Sequence, residues 1–437
     1  LWSRVAMKLK ISKTQSFWLD TDKIAPDKSI SHRCAMFALL SDKPSFVRNY
    51  LEGEDTLDTL EIAKKLGLSV EKRDGGLLLT PPESIQEPDT ILYCGNAGTA
   101  MRLYLGLLSA QNGIFILSGD SYLNKRPMKR VVEPLRSIGV EILGRSDGDF
   151  APLVIKGNPK LESFFYTSKI PSAQVKSAML LSALFAKGES VYKEPELSRD
   201  HSEKMLRGMG AKIESKIQNN GEVEIKIQPL KGKLEPLNLE IPADPSSAFF
   251  FALGIAITPN ASGILRNVLL NKTRIEAFRV LEKMGVKITY TETSKIYESI
   301  GNISMQAPER LKAVELSERI SWLIDEIPAL AIAMACAKGE SLVRNAEELR
   351  VKETDRIKAV VNNLKLCGIE AQELTDGFRI IGGELKEACV DSFGDHRIAM
   401  SFAIAGLKSG MEIENAEYIN ISFPNFLEIL KSITKVA

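Results

Sequence analysis

Residues 281–288 read LEKMGVKI, and the phrase returns along the chain as AKKLGLSV (63–70), LRSIGVEI (135–142), LRGMGAKI (206–213) and LKLCGIEA (364–371). In each, a helix-like stretch meets a glycine and continues as a strand-like run; glycine suits the left-handed position that closes a helix. These glycines, at 67, 139, 210, 285 and 368, are spaced 72, 71, 75 and 83 residues apart. A second phrase interleaves with the first: an apolar helix-like stretch that breaks at Gly113, Gly188, Gly263, Gly339 and Gly410, with Pro44 in the same place near the start. Its successive gaps are 69, 75, 75, 76 and 71 residues. Two independent markers with one period describe six copies of a unit about 75 residues long.

That period exceeds the ~20–50 residues of solenoid and propeller repeats, so each copy is a small α+β unit and not a single hairpin. The first helix of several copies is apolar all round, as in 247–258 (SAFFFALGIAIT) and 328–337 (PALAIAMACA), and is expected to be buried on every side. The second is amphipathic, as in 131–138, and is expected to cover a sheet. Three copies make about 220 residues, near the upper end of ordinary domain size, so six predict two similar domains of three units each. The expected boundaries are 26–242 for one domain and 1–25 with 243–437 for the other.

With 44% hydrophobic and 26% charged residues, the chain has the composition of an ordinary globular protein. A net charge of +1 supplies no overall field toward nucleic acid or a membrane, and neither is expected as a partner. The longest apolar runs are about a dozen residues, short of the ~20 that span a bilayer. Leu1–Ala6 lacks the features of a signal peptide, and Met7 is read as the natural start. The five cysteines (Cys34, Cys94, Cys336, Cys367 and Cys389) form no CxxC pair, which fits a reducing compartment; a cytoplasmic location is expected. The chain has no GxxxxGK[ST], GxGxxG or HExxH, and its three histidines are far apart, so neither metal nor cofactor is expected.

Polar residues gather where the first helix of each copy begins: Asp27-Lys28-Ser29, Asn96-Ala97-Gly98-Thr99, Ser172-Ala173-Gln174, Asp244-Pro245-Ser246, Asp325-Glu326 and Asp395-His396-Arg397. A helix N-terminus offers unpaired N–H groups and a positive dipole end, so these six starts are expected to bind anions. Ser, Thr, Asp and Asn are also plain N-caps, but Lys28, Gln174 and Arg397 are poor ones. Basic clusters add to the set: Lys125-Arg126-Pro127, Arg199-Asp200-His201 and the run 350–356 (RVKETDR). The last is read as opening a helix, with Lys352 and Arg356 at its start, where cations oppose the dipole and call for an anion.

Taken in order, the stretches 27–33 (DKSISHR), 95–102 (GNAGTAMR), 125–128 (KRPM), 172–174 (SAQ), 350–356 (RVKETDR) and 394–400 (GDHRIAM) resemble the EPSP synthase family of enolpyruvyl transferases. The resemblance covers essentially the whole chain. It implies two domains, each of three βαβαββ-type units around buried parallel helices (an inside-out α/β barrel), joined by two crossings of the chain.

The implied reaction moves the enolpyruvyl group of phosphoenolpyruvate to the 5-hydroxyl of shikimate 3-phosphate, a step of aromatic amino acid biosynthesis that needs no cofactor. For shikimate 3-phosphate, Lys28, Ser29, Arg33, Ser172, Ala173, Gln174, Arg199, Asp325 and Lys352 resemble the family's binding positions. Lys28, Asn96, Gly98, Arg126, Gln174, Arg356 and Arg397 resemble those for phosphoenolpyruvate. Asp325 is expected to be the base, with Glu353 and Lys28 as acid and proton carriers. Seven cations among these residues, less Asp325 and Glu353, leave about five positive charges against roughly five to six negative ones on the substrates. A monomer is expected.

Three positions depart from many family members: Asp27 stands for Ser, Leu103 for Pro, and Ile421 for a lysine that reaches phosphoenolpyruvate. The sister transferase acting on UDP-N-acetylglucosamine commonly carries a Cys before its Arg-Pro pair, and 120–125 (DSYLNK) has none. A non-enzymatic repeat scaffold would leave Asp325 and Glu353 without a role.

Overall fold

A computed structural model describes residues 7–295 and 297–437; Leu1–Ala6 lie outside the described residues. The chain divides into two units, residues 28–241 (unit 2) and residues 1–27 with 242–437 (unit 1). The first division falls two residues later than the sequence suggested and the second one residue earlier. Local bonding explains both shifts. Asp27 donates its N–H to the Pro242 carbonyl (2.8 Å) and takes Arg274 Nη1 (2.7 Å), which ties it to unit 1. The Ile241 N–H bonds the Arg48 carbonyl (3.0 Å) and its own carbonyl accepts from Asn49 (2.8 Å), which ties it to unit 2.

Unit 2 repeats one sheet three times. In the first, Asn238–Glu240 runs parallel to Ser45–Arg48, followed antiparallel by Gly76–Thr80 and Ser69–Arg73. The second has Leu92–Tyr93, Ile114–Ser118, Phe150–Lys156 and Glu141–Gly144 in the same order and sense. The third has Phe165–Thr167, Ser190–Glu194, Val223–Ile227 and Ile213–Ile217. Each copy carries one deeply buried helix: Lys28–Ala38, Gly98–Leu108 and Ala173–Ala183.

Unit 1 repeats the pattern with a variation. Two sheets are four-stranded: Trp18–Thr21, Ser262–Leu269, Ser299–Gln306 and Lys287–Lys295, then Glu315–Leu316, Glu340–Val343, Gly377–Ile381 and Glu370–Leu374. The third is shorter. Cys389–Asp391 lies parallel to Met411–Glu414, and Leu9–Ile11, from the other end of the chain, supplies the antiparallel strand. Every one of the 13 residues of Pro245–Ile257 is buried, as its all-round apolar sequence requires. Asp244 caps that helix by accepting the Ser246 N–H at 2.7 Å. Each buried Phe or Ile side chain contributes about 1.5–3 kcal/mol, and Phe249 adds an edge-to-face contact with Phe278 at 5.3 Å. Phe278 lies on the amphipathic helix Glu276–Lys283, which ends in the opening phrase LEKMGVKI.

The five glycines of that phrase have φ between +76° and +107°, the left-handed closure their positions called for. Among the second marker's glycines, Gly113, Gly339 and Gly410 also have positive φ. Gly263 instead sits within a strand, where a Cβ would come 2.2 Å from the Leu19 carbonyl oxygen. Among the described residues no helix is long and apolar enough to cross a membrane.

Candidate active site

In unit 2 the helix Lys28–Ala38 presents Lys28, Ser29 and Arg33 from its first two turns. Lys28 is ion-paired with Asp55, a residue of the first turn of Glu54–Lys65. Arg33 is 4% exposed: Nη1 donates to the Ser29 carbonyl (2.9 Å), Nη2 to Ser177 Oγ (3.0 Å) and Nε to Ser202 Oγ (2.9 Å). Ser177 follows the SAQ motif on Ala173–Ala183, whose start is capped by Ser172. His32 is buried against Thr59 Oγ1 (2.7 Å). Burial first, then the charges of Lys28 and Arg33, hold its pKa well below the ordinary histidine value, so it fills the core as a neutral polar residue.

The motifs assigned to phosphoenolpyruvate meet around Arg102, which sequence reasoning quoted in a motif but gave no role. Its Nη1 donates to Gln174 Oε1 (2.8 Å) and its Nη2 to the Pro127 carbonyl (3.0 Å). Gln174 in turn donates Nε2 to Thr99 Oγ1 (3.0 Å). A Cβ on Gly98 would lie 3.1 Å from both Arg102 Nη1 and Arg126 Nη1, so the two guanidiniums flank that glycine. Asn96 is held separately, donating to Asp120 Oδ2 at 2.9 Å. Gly95, at φ +54°, faces the Asp58 carboxyl, which occupies the space a Cβ would fill. Burial, reinforced by Asp55, Glu54, Asp120 and Glu61, pushes the Asp58 carboxyl up to about 6.

Arg199 follows Ser198 in the loop before His201–Gly208. That loop is fixed by Lys176, which lies 0% exposed between Glu194 (2.8 Å) and Glu203 (2.9 Å). None of these three was singled out from the sequence.

In unit 1 a second cluster gathers Asp325, Glu353, Arg356 and Arg397. Arg356 is 1% exposed; Nε donates to Asp395 Oδ2 (2.7 Å), Nη2 to Glu353 Oε2 (2.6 Å), and Nη1 stands 3.6 Å from Asp325 Oδ1. Burial alone would lower its pKa; the carboxylates of Asp395, Glu353 and Asp325 outweigh that and hold it above the usual arginine value. Arg397 donates Nη1 to the Asp325 carbonyl (3.1 Å), with Nη2 3.8 Å from the Asp325 carboxylate. Asp395 both anchors Arg356 and caps His396–Ser409 through the Arg397 N–H (2.8 Å).

Lys352 departs from the expectation. The helix begins at Arg356, where Asp355 accepts the Lys358 N–H (3.1 Å), and Lys352 precedes it in extended backbone, paired with Glu348 at 2.9 Å. Ile421 is 6% exposed in the turn Ala416–Ile421 and places no charge there. Asp55 and Arg274 were also missed, since each works through a partner distant in sequence. Among the described residues no group of three His, Cys, Asp or Glu is placed to hold a metal ion.

Residues 21–430 match the family model described as EPSP synthase (3-phosphoshikimate 1-carboxyvinyltransferase). A protein named 3-phosphoshikimate 1-carboxyvinyltransferase from a Nitratiruptor species is 59% identical over 98% of each chain, and one from Helicobacter hepaticus is 55% identical over 98% of each. Among solved structures, EPSP synthase from Acinetobacter baumannii superposes with a TM-score of 0.85 at 36% identity, covering 99% of this chain and 100% of its own. The enolpyruvyl transferase NikO from Streptomyces tendae shares the fold, with a TM-score of 0.75 at 15% identity over 98% of each chain. With the motifs in place in both units, these matches lead to one conclusion: the chain belongs to the EPSP synthase family.

Proposed function

We infer that this enzyme transfers the enolpyruvyl group of phosphoenolpyruvate to the 5-hydroxyl of shikimate 3-phosphate, releasing phosphate, as a transferase of the shikimate pathway. The observation that carries the catalytic assignment is the pair of carboxylates, Asp325 and Glu353, set on one buried cation, Arg356.

The acceptor oxygen adds to C2 of the enol phosphate while C3 gains a proton. The tetrahedral adduct then expels phosphate as C3 gives a proton back. One group must take the hydroxyl proton and another must feed and recover the C3 proton. In unit 1, Asp325 is the base and Glu353 the acid, with Arg356 and Arg397 stabilising charge that moves onto the departing phosphate. Lys352 reaches the acceptor ring. In unit 2, Ser29, Arg33, Ser172, Ala173, Gln174 and Arg199 receive the acceptor's phosphate. Asn96, Gly98, Arg126 and Gln174 receive phosphoenolpyruvate, and Lys28 carries a proton. Arginine suits these places because its planar fork matches an oxyanion.

The test is phosphate release from phosphoenolpyruvate with shikimate 3-phosphate, run beside phosphoenolpyruvate with UDP-N-acetylglucosamine. Release in the first alone is expected. Release in the second alone would assign the chain to the sister reaction, and release in neither would remove the activity.

A further inference from the structure

We propose that Lys176, Glu194 and Glu203 form a buried ionic anchor that positions Arg199 and Arg33 for the acceptor's phosphate. The inference rests on the functional reading above. Lys176 sits one turn into Ala173–Ala183 and is completely buried, as is Glu194. Its ammonium donates to Glu194 Oε1 (2.8 Å) and to the Ser198 carbonyl (3.1 Å), and it stands in ion-pair contact with Glu203 Oε1 at 2.9 Å. Glu194 also accepts the Ser198 N–H (2.9 Å) on Oε1 and the Ser198 hydroxyl (2.8 Å) on Oε2. The N–H, carbonyl and hydroxyl of Ser198 are therefore all held, and Ser198 is the residue before Arg199.

The same anchor reaches Arg33 from two sides. Ser177, next to Lys176, and Ser202, next to Glu203, are the two hydroxyls that clasp the Arg33 guanidinium, and they bond each other at 2.7 Å. Burying three charges this deeply is a costly way to gain stability, since apolar replacements of such triads are often neutral or better. What the triad supplies is geometry. It welds the helix that starts with Ser172-Ala173-Gln174, the Glu194–Ser198 turn and the helix His201–Gly208 into one frame for a phosphate.

As positioning residues, these side chains should control acceptor binding more than turnover. Glu194→Gln keeps the shape but removes a charge from the triad and puts an amide donor in place of one of the two oxygens that accept from Ser198. We expect its KM for shikimate 3-phosphate to rise about 10-fold or more, because small misplacements of oriented groups are costly, with KM for phosphoenolpyruvate and kcat within about 3-fold. Ser198→Ala, which leaves the ion triad intact, should shift the same KM in the same direction by less, and stands in should Glu194→Gln not fold. Shikimate 3-phosphate should also raise the melting temperature of the wild type more than that of either variant. A lowered melting temperature with both KM values unchanged would make the anchor merely structural and overturn the inference, as would equal stabilisation by ligand. Wild-type phosphate release separates the two claims: with it, only the anchor is at stake; a wild type that neither releases phosphate nor is stabilised by shikimate 3-phosphate overturns both.

Discussion

Arg33 in unit 2 and Arg356 in unit 1 are both nearly sealed from solvent, but serine hydroxyls stand against the first and carboxylates against the second. Arg33 donates to a carbonyl and to two serine hydroxyls. Arg356 is clasped by Asp395 and Glu353 with Asp325 close by, and Arg274, elsewhere in unit 1, by Asp27 and Asp244 at 2.7 Å each. On the reading proposed above, the hydroxyls and carbonyl orient the Arg33 guanidinium toward the acceptor's phosphate. A carboxylate clasp neutralises the cation, but it assembles acids that would otherwise repel one another, which is what a proton-handling site requires. On the reading proposed above, unit 2 holds the acceptor's phosphate and unit 1 holds the acids that handle protons.

The largest effect should come from breaking a carboxylate clasp. Arg274→Met leaves Asp27 and Asp244 buried without their cation and should cost about 3–5 kcal/mol in urea unfolding; a loss below about 1 kcal/mol would show that the ions are readily hydrated. Next, Glu353→Gln should lower kcat by at least ~10²-fold while shikimate 3-phosphate still binds, and turnover near wild type would remove Glu353 from the chemistry. Arg33→Met should be milder for the fold, at about 1–2 kcal/mol, because Ser177 and Ser202 remain bonded to each other. A loss as large as that of Arg274→Met would erase the contrast between the two clasps.

The smallest effect concerns pH. The Asp58 carboxyl is raised from 3.8 to about 6, so the stability it contributes is complete below about pH 4 and is lost as pH rises through 6. Asp58→Asn should therefore be more stable than wild type at pH 8, by about 1 kcal/mol once solvent screening of this partly exposed group is allowed for. The two should converge below pH 4. A constant difference across that range would mean that Asp58 does not titrate with folding.

The six helix starts were legible in the sequence because local signals gather there: polar residues at a break in hydrophobic period, with side-chain caps at Ser172, Asp244 and Asp395, and a glycine beyond the far end of five of the six helices. The helices Pro245–Ile257 and Ile327–Ala335 are buried along their whole lengths, as read from their composition. The run 350–356 was misread, since Asp355 caps the helix after Lys352 and not before it. Asp55, Arg102, Lys176, Arg274 and Asp395 act through partners 18 to 247 residues away, or across a helix start already explained by its cap. Such pairings leave no periodic trace, so an Asp in a helix's first turn or a Lys on a buried helix looks ordinary until the fold supplies its partner.

The division of labour is tested most directly by Asp325→Asn beside Arg33→Met, with shikimate 3-phosphate binding measured by calorimetry and turnover by phosphate release. The account predicts that Asp325→Asn binds the acceptor within about 10-fold of wild type but turns over at least ~10²-fold more slowly, and that Arg33→Met loses acceptor affinity first. Near-normal turnover by Asp325→Asn, or undiminished acceptor affinity in Arg33→Met, would contradict it.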